Sequence, residues 1–118
     1  MKIRTDPLDK LVSELVRKRS KGYCQRCGKY LGWEHLQACH FYPRRSKSTR
    51  YDTENLVALD FGCHQYFHEH PLEWHEWFRN HLGEEEFNML AARHRTLAKY
   101  VDRQAIKLWL KEEIRKLG

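Results

Sequence analysis

The chain has 118 residues, of which 41% are hydrophobic and 13% aromatic, and a formal net charge of +6. That length makes one domain over residues 1–118 the expectation, since domains mostly run to about 100–150 residues, and the apolar content argues against wholesale disorder. No apolar run approaches the roughly 20 residues that span a bilayer, and the opening MKIRTDPLDKLVSEL lacks the apolar stretch of a signal peptide, so a cytoplasmic protein with no membrane partner is expected.

A helix is predicted over 6–20. Asp6 caps it, Pro7 suits its first turn, and Leu8, Leu11, Val12, Leu15 and Val16 recur at helical spacing. Arg17, Lys18 and Arg19 complement the dipole at its end, and Gly22 stops it. Residues 23–33 (YCQRCGKYLGW) read as a knuckle with glycine turns, and 34–41 (EHLQACHF) as a short strand. A cation-rich loop covers 42–51, and 55–60 (NLVALD) is a second strand pairing antiparallel with the first. Helices are expected over 63–69, 72–81, 84–100 and 102–117, with Pro71 and Gly83 between them. Trp74, Trp77 and Phe78 read as core. Trp109 beside Leu110 gives the last helix more apolar surface than one face needs, so it either closes the core or builds a homodimer surface. The fold class expected is α+β.

Charge is uneven. Residues 1–50 carry 13 Lys or Arg against 4 Asp or Glu, and residues 51–118 carry 9 against 12. The basic half points to a polyanion, with nucleic acid the usual one, or to a solvated surface. Four cysteines in a chain read as cytoplasmic suggest thiols or metal ligands rather than disulfides. Cys24 and Cys27 form a CxxC knuckle, and five of the eight histidines fall between 64 and 81.

The informative stretch is 39–68. His40 and Asn55 are fifteen apart, Asn55 and His64 nine, and His64 and His68 four. On a helix, the last pair shares one face, so both imidazoles can ligate one cation. Arg44, Arg45, Lys47 and Arg50 lie between His40 and Asn55, where they would position a phosphate backbone without reading sequence.

In order and spacing these residues resemble the HNH endonucleases, whose ββα-metal motif pairs a hairpin with a short helix. The CxxC together with ACHFYPRRS, TRYDTENLVALD and CHQYFHEHP is most similar to phage NinG-like and recombination-endonuclease-type members, over roughly residues 23–82. The resemblance implies a phage- or prophage-derived enzyme that hydrolyses or nicks DNA. His40 would be the general base, and Asn55 would fix the hairpin loop. His64 and His68 would hold a divalent ion (Mg²⁺, Mn²⁺, Ni²⁺ or Zn²⁺).

Two departures from the family leave alternatives open. Cys39 stands where many members carry Asp or His as a metal ligand; it ligates the active-site ion, is a buried bystander, or completes a zinc site. Asp60 stands where a second CxxC would have a cysteine. Cys24, Cys27, Asp60 and Cys63 then either bind a structural zinc as a Cys₃Asp set or form a decayed site in which packing replaces the ion. The alternative functions are a non-catalytic zinc-containing nucleic-acid-binding module and a structure-selective nuclease acting on branched recombination intermediates.

Overall fold

The computed structural model describes residues 6–118; the first five residues of the expected domain lie outside the described residues. Helix α1 spans Pro7–Arg19. The Leu8 amide donates to Asp6 Oδ1 at 3.0 Å, so the expected cap forms. Leu8, Val12, Leu15 and Val16 are buried on one stripe, which packs against the hairpin and against the last helix. The helix unwinds through Lys21 and Gly22, both with positive φ. Gly22 is required there: a Cβ would meet the Tyr30 ring at 2.7 Å and the Gly32 Cα at 3.1 Å.

The knuckle closes through an amide of Cys24 donating to Lys29 O and one of Gly28 donating to Cys24 O. It docks on the hairpin through Gln25, whose amide donates to Ala58 O at 2.9 Å, while the Ala58 amide donates back to Gln25 Oε1 at 2.7 Å. One residue thereby pairs both backbone groups of Ala58.

Strands β1 (Gln37–His40) and β2 (Leu56–Leu59) pair antiparallel, with Gln37 opposite Leu59 and His40 opposite Leu56. The first strand is shorter than expected, because Trp33–His35 form a 3₁₀ turn instead. All four residues of β2 are buried, which explains its continuous apolar run in place of an alternating one.

Helix α2 spans Phe61–Glu69 and begins two residues before the expected start, because Asp60 caps it: the Cys63 amide donates to Asp60 Oδ1 at 2.6 Å. Helix α3 (Pro71–Leu82) follows after His70. Helix α4 spans Glu84–His94 and corrects the expectation of a helix to residue 100. Tertiary contacts end it. The His94 carbonyl accepts from Ser48 Oγ, its Nδ1 bonds Ser46 Oγ, and its ring stacks on Tyr42 at 3.8 Å. Leu97, past the end of the helix, is 59% exposed. Helix α5 (Arg103–Lys116) packs along α1 and buries Leu110 completely, while Arg19 lies over the ring of the half-exposed Trp109.

An aromatic cluster joins these parts. Phe41, directly after His40, stacks on Phe78 of α3 at 4.2 Å and touches Trp74 and Phe87. Burial of such rings contributes on the order of 2–3 kcal/mol each. Among the described residues, no helix is long and apolar enough to cross a membrane.

Candidate functional site

Side chains alternate along β1, and this sorts the site residues. Gln37 turns toward α2, where it bonds His64, and Cys39 lines a cleft of about 240 Å³ with His64, His68, Phe67, Pro71 and Trp74. Ala38 and His40 face a groove against α1, lined by Asp9, Lys10, Ser13 and Arg17. His40, at the strand's end, also borders the cleft. Residues His40, His64 and His68 thus all border one cavity. His64 and His68 are exposed on one face of α2, as the four-residue spacing requires.

His40 is held by the main chain. Its Nε2 lies 2.9 Å from the Arg50 carbonyl oxygen. A carbonyl only accepts, so Nε2 carries the proton in the neutral ring and Nδ1 keeps its lone pair. Burial pushes this imidazole below its ordinary pKa; the bond to the Arg50 carbonyl and the charge of Asp9 oppose that shift, and Arg44 and Arg50 reinforce it. The result is a neutral, oriented imidazole at physiological pH.

Asn55 is fully buried, and its amide closes the loop that follows His40. Its Oδ1 accepts from the Tyr42 amide at 2.8 Å, and its Nδ2 donates to the carbonyls of Tyr42 and Thr49 at 3.0 and 3.1 Å. The Asn55 carbonyl also accepts from the Phe41 amide at 2.8 Å. Both ends of the loop are tied to one side chain.

The four cations of that loop divide. Arg50 donates from Nε and Nη2 to Asp9 at 3.0 and 2.6 Å, and Arg44 donates to the same carboxylate at 2.6 Å. The Arg50 and Arg44 guanidiniums together hold Asp9 below the usual carboxylate range against its burial. Arg45 and Lys47 stay exposed, with no ion-pair partner among the described residues. Of the four cations expected to position phosphate, Arg44 and Arg50 thus also brace the loop against α1. The loop's far end is fastened by Arg93, whose Nε donates to Asp52 at 2.6 Å. Asp9 and His94 carry no sequence signal for these contacts, since their partners lie at least 35 residues away in the chain.

A second cluster lies between the knuckle and α2. One ligand atom from each of Cys24, Cys27, Asp60 and Cys63 lies within 4.8 Å of the others, so these four are positioned to bind a metal ion. Asp60 serves two neighbours: Oδ1 caps α2, and Oδ2 accepts from Cys27 Sγ at 3.0 Å. Hydrogen bonds from Cys27 and from the Cys63 amide hold its carboxyl below the usual range. Arg26 donates to Cys63 Sγ at 3.5 Å and lies over the Tyr66 and Phe67 rings, fastening the knuckle to α2.

Cys39 behaves differently. It is buried, its thiol is pushed up to about 12 mainly by that burial, and its Sγ bonds the Gln37 carbonyl at 3.6 Å. Among the described residues, Cys39, His64 and His68 do not form a group close enough to share an ion, and Cys39 does not join the knuckle cluster. Of its three readings, the buried bystander fits this placement.

The chain matches no protein-family model, and no curated protein or solved structure is significantly similar to it.

Proposed function

We propose that this protein is a metal-dependent endonuclease of the HNH (ββα-metal) kind that hydrolyses or nicks phosphodiester bonds in DNA. The observation that carries the reading is the convergence of His40, His64 and His68 on one cleft, with Asn55 locking the loop behind His40. Convergence of an oriented neutral imidazole with a paired-histidine face is what base-assisted phosphodiester hydrolysis needs.

The donor set of the cleft fits a divalent ion accepting imidazole: His64 and His68 are exposed one turn apart, and Gln37 occupies only one nitrogen of His64. When bound, such an ion supplies positive charge for a non-bridging phosphate oxygen and for the leaving 3′ oxygen. His40 Nδ1 takes a proton from the attacking water. The Arg50 carbonyl keeps the ring oriented and stabilises the imidazolium that forms. Asn55 holds the intervening loop, and Arg45 and Lys47 offer the cations for phosphates along the strand. At the knuckle, three thiols and a carboxylate fit zinc better than a hard ion, so Cys24, Cys27, Asp60 and Cys63 would hold a structural Zn²⁺.

Supercoiled plasmid incubated with Mg²⁺, Mn²⁺ or Ni²⁺ tests the reading. Nicking that chelator abolishes supports it; intact plasmid under all three ions refutes it. A second reading is a non-catalytic zinc-containing nucleic-acid-binding module. It is favoured by the knuckle being the one group of three or more ligands close enough to share an ion among the described residues. Salt-sensitive DNA binding without nicking would select it.

A further inference from the structure

Gln37 is the first residue of β1, and its side-chain Oε1 lies 2.5 Å from His64 Nδ1. An amide oxygen accepts and does not donate, so this contact puts the ring proton of neutral His64 on Nδ1 and leaves the lone pair on Nε2. Imidazole free in water prefers the opposite tautomer. The hydrogen bond therefore selects the form whose outer nitrogen can ligate.

The spacing between the two residues is fixed from both ends. Gln37 is paired with Leu59 across the hairpin. The next residue, Asp60, caps α2, and its carbonyl accepts from the His64 amide at 3.0 Å. His64 thus stands one turn into a helix whose start is tied to the strand opposite Gln37. Exposed on α2, its ring would otherwise turn freely about the side-chain torsions. A partner on the second nitrogen of a metal-binding histidine fixes its orientation and raises its basicity.

We propose that Gln37 is a positioning residue for the cleft ion, holding His64 in the Nδ1–H tautomer so that it ligates through Nε2. The proposal rests on the reading of His64 and His68 as the ion's holders. It assigns no contact between Gln37 and substrate.

The test uses full-length protein with the knuckle saturated by Zn²⁺, as wild type, Gln37→Met and Gln37→Glu. Two-bond ¹H–¹⁵N correlation spectra, with His64 assigned by its loss in His64→Gln, report the tautomer without any ion in the cleft. Ni²⁺ titration then reports affinity. Wild type is expected to show Nδ1–H, and Gln37→Met to shift toward Nε2–H and to bind Ni²⁺ about 10–100-fold more weakly. Gln37→Glu, which keeps the acceptor, should restore both. An Nε2–H tautomer in wild type, or equal Ni²⁺ affinity in Gln37→Met, overturns the role of Gln37 even if the plasmid is nicked. Absence of Ni²⁺ uptake by wild type overturns the ion site itself, and this proposal with it.

Discussion

His40 Nε2 lies 2.9 Å from the main-chain carbonyl of Arg50, while the Arg50 side chain is clasped by Asp9 of α1. A strand histidine is thereby oriented by a residue ten positions later, which is itself anchored by the first helix. Arg50 was expected to meet phosphate through its guanidinium. Its carbonyl faces the His40 ring, and its guanidinium braces the loop against Asp9.

The lowered pKa of His40 has a sign that can be worked out. Burial, the leading cause, disfavours the charged ring, so His40 stays neutral to a lower pH than an ordinary histidine of about 6.5. Single-turnover nicking should rise with pH, with a midpoint below about 6.5, and be flat above neutrality. A midpoint above 7 would contradict this environment.

Asp9 receives both Arg44 and Arg50. Asp9→Asn should destabilise the fold by about 1–3 kcal/mol through its weakened charge-assisted bonds, read as a lowered midpoint in urea. The acid limb follows from the same groups. The Arg103 guanidinium foremost, with Tyr51, holds Asp6 well below the usual carboxylate range, and Arg50 does the same for Asp9. Carboxyls with depressed folded-state pKa values contribute stability that is present above their unfolded value, about 3.9, and lost as pH falls toward the folded one. Melting temperature should thus be steady from pH 7 to 5 and drop below about pH 4, with Asp9→Asn showing a shallower drop.

Asn55→Ala removes three hydrogen bonds from a fully buried site and leaves the backbone groups of Tyr42 and Thr49 without their partner. The expected cost is about 2–4 kcal/mol. Amide hydrogen exchange should speed up across residues 42–49 more than in α5. Uniform acceleration would mean that Asn55 supports the core rather than this loop.

Much of the fold was legible because its signals are local. The Asp6-Pro7 start of α1, the apolar run of β2 and the Gly83 break between α3 and α4 each depend on neighbours in sequence. The end of α4 was not legible, because its cause is His94 meeting Ser46, Ser48 and Tyr42. At the site, the four-residue spacing of His64 and His68 was enough to anticipate one exposed helix face. The partners that orient those groups, namely Gln37, Asp9 and the Arg50 carbonyl, depend on register and packing. Asp60 was suspected only as a ligand, although an Asp before a helical run is also a cap signal.

Asp60 joins the knuckle to α2 through its two oxygens. Metal analysis of purified protein should return about one zinc per chain, and removing it with chelator should lower the melting temperature. Asp60→Ala should lose both metal and cap, the cap alone costing about 1 kcal/mol. Asp60→Asn should retain the cap while holding zinc more weakly. A protein free of zinc with an unchanged melting curve would show that packing alone closes this site.

The most direct measurement compares wild type and His40→Ala on supercoiled plasmid, both folded by circular dichroism and both binding duplex DNA in chelator. Wild type is expected to nick in a metal-dependent way and the variant to lose at least about 100-fold, the scale of a missing general base. Equal nicking by both proteins would remove His40, and with it the proposed chemistry.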